Sequence, residues 1–198
     1  MQVSELGLRG LKLITPRRHQ DDRGWFAEIY NRQSFRQAGL PTEFVQDNQS
    51  SSRRGVLRGL HIQNRQPQGK LVRVLTGSIW DVAVDLRRES PTFGRWFGMD
   101  LCAGQPDGEV QMLWIPEGLA HGFLVLSETA EVEYKVTRPY DPGGEQTIVW
   151  NDPQLGIAWP LHRLNGTPPV LSAKDAAGLL LTQALSFFPG QPCAANQA

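Results

Sequence analysis

From residue 25 to residue 150 the chain is a succession of short apolar and β-branched runs, each closed by glycine, proline or charged residues before the next begins. Runs of this length and spacing cannot sustain a helical stripe, but they suit strands that alternate between two packed layers, so the pattern predicts a sandwich or barrel. The predicted strands are 25–30, 43–48, 55–63, 70–75, 78–86, 94–101, 110–115, 122–126, 130–136 and 146–150. Gly77, between two of them, predicts a tight hairpin turn.

Two helices carry clear punctuation. Asn31 can cap a short helix through Ala38, ended by Gly39 and Pro41. Ser172-Ala-Lys-Asp175 has the form of a capping box and leads into Ala176 and Ala177. A chain of 198 residues is long enough for one domain with a sizeable core, assigned here to residues 1–185. Residues 186–198, with few charges and several breakers, predict a frayed tail.

Charge narrows the function. Twenty basic residues balance twenty acidic ones, so no overall field draws the chain onto nucleic acid or an anionic membrane, and an anionic ligand must be met locally. The N-terminus lacks a signal-peptide pattern and no run reaches membrane-spanning length, which predicts a cytoplasmic protein with no membrane partner. Cys102 and Cys193 are far apart and have no metal-site spacing around them. The motifs of dinucleotide-binding, phosphate-loop, nucleophile-elbow and zinc-protease enzymes are all absent.

What remains is a set of polar residues inside apolar runs. His61 and His121 sit in such runs, whereas His19 and His162 lie in polar segments and are expected to be exposed. A histidine in a β core is commonly a satisfied structural group, but Arg58 lies three residues before His61, and a guanidinium in an apolar run needs an anion or a carboxylate. Strict alternation would send Arg58 and His61 to opposite faces; Gly59 between them could host a bulge that re-aims one. Lys70 opens the next run, and Asp81 and Asp85 share a parity with Ala83. Tyr134 shares its parity with Val132 and Val136, which directs its phenol inward. From the residues alone the favoured reading is a core tyrosine whose hydroxyl finds a backbone partner.

Pro116-Glu-Gly-Leu-Ala-His121 matches the second cupin motif, and residues 55–63 occupy the place of the first. A metal-binding cupin carries His-x-His there, but this chain has His61-Ile-Gln63, which weakens the metal-site reading. Further segments fall in one order: Asp22-Arg-Gly-Trp-Phe-Ala-Glu28, Phe44-Val-Gln-Asp-Asn48, Lys70-Leu-Val-Arg-Val74, Asp81-Val-Ala-Val-Asp-Leu-Arg87, Ser90-Pro-Thr-Phe-Gly94, Trp150-Asn-Asp-Pro153 and Leu171-Ser-Ala-Lys-Asp175. With these the chain resembles the RmlC family of dTDP-4-dehydrorhamnose 3,5-epimerases, from about Leu11 to Leu180.

The resemblance implies a mostly β, cupin-type jelly-roll barrel with a few short helices. It also implies a metal-independent isomerase that needs no cofactor and converts dTDP-4-dehydro-6-deoxy-D-glucose to dTDP-4-dehydro-L-rhamnose, and by family analogy a homodimer. Carried onto matching positions, it makes His61 the base, Asp175 its partner and Tyr134 the acid on the opposite ring face. Lys70 is assigned to the enolate oxygen. Arg23, Arg58, His121 and Lys174 are placed around the diphosphate, sugar and ketone; Glu28, Gln46, Asp47 and Asn48 at the nucleotide; Tyr140 against the base; Glu145 completes the set. Read locally, Asp175 is instead a capping residue, and the resemblance is what favours the dyad. Two other readings stay open: an epimerase acting at one carbon of another deoxysugar, and a non-catalytic cupin that binds a sugar or a metal.

Overall fold

The computed structural model describes residues 1–104 and 108–187. The strands are β1 (Gln2–Glu5), β2 (Lys12–Thr15), β3 (Arg18–Asp21), β4 (Gly24–Ala27), β5 (Gln46–Arg53), β6 (Leu57–Gln63), β7 (Lys70–Thr76), β8 (Ser78–Asp85), β9 (Trp96–Cys102), β10 (Met112–Ile115), β11 (Leu119–Val125), β12 (Thr129–Val136) and β13 (Glu145–Thr147). The helices are short: α1 (Arg32–Gln37), α2 (Ala173–Ala176) and α3 (Leu181–Ala184), with 3-10 turns at Leu161–Leu164 and Leu185–Phe187. The protein is mostly β, as the spacing of apolar runs predicts.

Two antiparallel sheets make the body, one ordered β1-β2-β10-β7-β12-β5 and the other β13-β6-β11-β8-β9. β3 and β4 form a separate hairpin. The inward faces of the sheets share one core, in which Val72, Leu113 and Val132 of the first sheet meet Ile79, Ala83 and Phe123 of the second. This is the predicted jelly-roll sandwich of the cupin type.

Parts of both outer faces are covered as well, which is why several strands read as continuous apolar runs rather than alternating ones. On the first sheet, Leu71, Met112 and Trp114 pack with Phe35 of α1 and Leu40. On the second, Leu60, Val82, Val84 and Leu124 are capped by Ile148, Trp159, Leu164, Leu181 and Ala184 from the carboxy-terminal segment. That segment docks along β6 by backbone bonds: Leu57 donates to the Val170 carbonyl (2.9 Å), and Leu60 and Ile148 exchange a pair (3.1 and 2.9 Å).

Gly77 is not a hairpin turn. β7 pairs with β10 and β12, and β8 with β9 and β11, so the chain at Gly77 turns a corner from one sheet into the other. Its φ of +75° and the close approach of the Thr129 carbonyl and the Ser127 hydroxyl both demand glycine there. The sequence pattern also left β1, β2 and β3 out of the predicted strands. β4 ends at Ala27 rather than Tyr30, and β5 starts at Gln46 and runs on to Arg53. The Asn31 side chain caps α1 as expected, accepting from the N–H groups of Gln33 and Ser34. The helix begun at Ser172 stops at Ala176, after which the chain bridges to Ile148 at Leu179 and enters α3. Ser186 and Phe187 lie in the last 3-10 turn, and the rest of the expected tail, 188–198, together with Cys193, lies outside the described residues.

Candidate active site

At one end of the sandwich the apolar filling gives way to a cavity of about 290 Å³ between the two sheets. Arg58, His61 and Gln63 of β6, His121 of β11 and Glu145 of β13 line it from one wall; Gln46 and Asn48 of β5, Lys70 of β7 and Tyr134 of β12 line the other. Tyr140 stands at the loop before β13.

A bulge on β6 brings Arg58 and His61 to one face. His121 stands opposite His61 and Phe123 opposite Arg58, so two steps along β11 are matched by three along β6. Gly59 makes this possible, with φ at +108° and a Cβ position only 2.6 Å from the His121 carbonyl oxygen and 2.7 Å from the Gly122 Cα. The Arg58 guanidinium meets the Ser52 hydroxyl at 3.0 and 2.9 Å, and no ion pair joins it among the described residues. Its charge is therefore available to an anion in the cavity.

His61 and Asp175 are 114 positions apart, yet His61 Nε2 lies 2.6 Å from Asp175 Oδ1. The capping and dyad readings of Asp175 turn out to be compatible. Its backbone N–H donates to Ser172 Oγ (3.0 Å), which is the cap, while its carboxylate accepts the Ser172 hydroxyl (2.8 Å) on one oxygen and faces His61 with the other. Burial raises the Asp175 pKa, but bonds from His61, Ser172 and the Gly59 N–H together outweigh it and hold the carboxyl below its ordinary range. An ionised Asp175 fixes the proton of neutral His61 on Nε2 and leaves the Nδ1 lone pair free to act as a base. Glu145 Oε1 is 4.0 Å from that Nδ1.

His121 makes a second such pair, with Nε2 2.8 Å from Asp81 Oδ2, and Asp81 is fully buried with Oδ1 unpartnered among the described residues. The sequence pattern pointed Asp81 inward but gave it no partner; only the register of β8 against β11, which sets Asp81 two residues from the partner of His121, shows one. Lys70 is 9% exposed and donates to the His61 carbonyl (3.3 Å). Burial lowers its pKa to about 8 against the opposing pull of Glu145 and Asp81, with Lys174 adding to the depression. Tyr134 is raised, first by burial and then by Glu145, with Arg58 acting in the other direction, so its phenol holds its proton firmly.

Glu145 accepts bonds from Lys174 and from the Tyr140 hydroxyl, the latter at 2.7 Å. Burial works against its charge, yet these two partners and His61 hold its pKa below the usual value. Three expected residues lie away from the cavity. The Asp47 side chain turns to the opposite face of β5 and pairs with Lys135 at 2.7 Å. Arg23 is nearly fully exposed and pairs with Asp21. Glu28 accepts from the Asn31 side chain at 3.1 Å, beside the start of α1. His19 and His162 are exposed, as expected.

The dTDP-4-dehydrorhamnose 3,5-epimerase family model matches residues 5–183. A dTDP-4-dehydrorhamnose 3,5-epimerase of Pseudomonas aeruginosa is 52% identical over 94% of this chain and 99% of its own length. The enzyme of that name from Salmonella typhimurium is 50% identical over 93% of this chain and 98% of its own. Among solved structures, RmlC from Legionella pneumophila, in complex with dTDP-4-keto-L-rhamnose, superposes with a TM-score of 0.87 at 44% identity, covering 96% of this chain and 98% of that one.

Proposed function

The chain belongs to the dTDP-4-dehydrorhamnose 3,5-epimerase family, and from that membership we propose how its cavity converts dTDP-4-dehydro-6-deoxy-D-glucose to dTDP-4-dehydro-L-rhamnose. Hydrogens on carbons 3 and 5 are acidified by the ketone at carbon 4, because the electron pair left behind delocalises onto the ketone oxygen. The substrate thus supplies its own electron sink. His61 takes the proton through Nδ1, and Asp175, at 2.6 Å from Nε2, stabilises the imidazolium that results. Lys70, drawn into the cavity by the backbone of β7, donates to the developing enolate oxygen. Tyr134, on the wall contributed by the other sheet, returns a proton to the opposite face of the ring, which inverts the carbon.

The observation that carries this reading is the placement of the His61–Asp175 pair on one wall and the Tyr134 phenol on the other. Around that centre Arg58, His121 and Lys174 serve the diphosphate and sugar, Gln46, Asn48 and Tyr140 serve the nucleotide side, and Glu145, bonded to Lys174 and Tyr140, completes the set. The protein is further proposed to be a cytoplasmic homodimer built from one domain, residues 1–185. The exposed aromatics of the β3–β4 hairpin, Trp25 at 55% and Phe26 at 69%, support the dimer. Arg23 and Glu28 flank that hairpin, and a partner's cavity set against it would give them, and the nucleotide, the contact that their own protomer does not provide.

Proton NMR of the substrate incubated with the protein in deuterated water tests the proposal. Deuterium at both carbon 3 and carbon 5, with formation of the L-rhamno product, is the expected result. Label at one carbon only would reduce the activity to a mono-epimerase, and none at either would leave a binding protein.

A further inference from the structure

Gln63 occupies the position where a metal-binding cupin has the second histidine of its first motif, and it is only 6% exposed. Both its amide nitrogen and its amide oxygen are engaged inside the protein. Nε2 donates to the carbonyls of Gln66 (3.0 Å) and Pro139 (3.2 Å), and Oε1 accepts the Asp141 N–H (2.9 Å). Two carbonyls on one side and an N–H on the other admit a single orientation of the amide. Pro139 and Asp141 flank Tyr140, whose own N–H donates to Gln46 Oε1 at 3.0 Å. Three consecutive backbone groups are therefore tied to two glutamine side chains, one from each sheet.

Tyr140 needs such ties. It is 52% exposed, and its hydroxyl bond to Glu145 fixes only the tip of the ring. A ring half in solvent is not located by packing, so its position over the cavity depends on the backbone that carries it. We propose that Gln63 is a positioning residue: the side chain that stands where a metal-binding cupin has a ligand clamps residues 139–141 and thereby sets the affinity of the site for the nucleoside diphosphate half of the substrate. The inference rests on the reading of Tyr140 as the surface that meets the base. It acts through Tyr140 and leaves the proton-transfer groups His61, Asp175 and Tyr134 in place.

The test is a double-mutant cycle on the full-length protein, with dTDP binding measured by calorimetry and turnover measured on the keto-sugar. Gln63→Met keeps the length of the side chain and removes its polar end. It should weaken dTDP binding about tenfold, the scale of one to two net hydrogen bonds, and raise KM in step while the pH profile of kcat stays put. In a Tyr140→Ala background the same change should cost almost nothing. If Tyr140→Ala alone leaves dTDP binding intact, the reading of Tyr140 fails. If Tyr140→Ala weakens binding while Gln63→Met does not, or Gln63→Met costs as much in both backgrounds, the clamp is refuted. Gln63→Glu, which keeps the shape and the acceptor but loses the donors, provides the same comparison should the methionine variant not fold.

Discussion

Replacing Lys70 with methionine should make the protein more stable and nearly inactive. The lysine is 9% exposed, and burial moves its pKa from 10.5 to about 8 even after the attraction of Glu145 and Asp81 is counted. The gap between those values is worth roughly 3 kcal/mol, carried as a penalty by the folded state while the amine is charged. Below pH 8 both folded and unfolded chains hold the proton and the penalty is complete. Between about 8 and 10.5 the folded protein has released it while the unfolded chain has not, so the unfolding free energy rises with pH until the penalty is gone. Methionine fills the space without the charge. The variant should gain up to about 3 kcal/mol at pH 7 but only roughly 1.4 kcal/mol at pH 9.5, while kcat falls by about 10²–10³ with the loss of the donor to the enolate oxygen. Urea unfolding of both proteins at the two pH values, with deuterium exchange into substrate, measures all three quantities. A variant no more stable at pH 7, or with an undiminished advantage at pH 9.5, would refute the argument from buried charge, and unimpaired exchange would remove Lys70 from the mechanism.

Tyr134→Phe should exchange substrate hydrogens with deuterated water while forming little epimer; double epimerisation at the normal rate would end its assignment as the acid. Asp175→Asn leaves a neutral partner at His61 and should lower kcat by about 10³–10⁴. Because the Asp175 pKa is depressed in the fold, its contribution to stability is present above the ordinary carboxylate range and lost as pH falls through the folded value. Acid unfolding should therefore separate wild type from the asparagine variant least at the lowest pH, and a constant difference would contradict this. Gly59→Ala should cost about 3 kcal/mol or more, read as a shift in the urea midpoint, because a Cβ there meets the backbone of His121 and Gly122. Phe26→Ser should shift the protein toward monomer in sedimentation velocity, and an unchanged sedimentation coefficient would move the dimer contact away from the hairpin.

The parts of this fold that are legible in the sequence are those set by local periodicity. Strand-length runs announce the sandwich, and the glycine between Arg58 and His61 announces the bulge that puts both on the cavity wall. What is not legible is set by pairing between distant segments. Gly77 has the local look of a hairpin turn because the residues on either side are strands, and only the partners of β7 and β8 reveal that they belong to different sheets. Asp175 looks like a helix cap and is one; its second use depends on how the carboxy-terminal segment lies against β6. Asp47 follows the strict alternation of β5, in which Gln46 and Asn48 face the cavity, and so turns outward to Lys135. β1 and β2 are not legible because strands of four residues carry too little periodicity to stand out from their loops.

The carboxy-terminal segment that seals the outer face of the second sheet also delivers the carboxylate held against His61. Chemistry and closure of the core are thereby one event. A nascent chain that has made β6 already possesses its imidazole, but no proton-transfer pair exists until the stretch carrying Asp175 has emerged and lain along β6. Partial unfolding that peels the segment away from β6 would take Asp175 from His61 and silence the site.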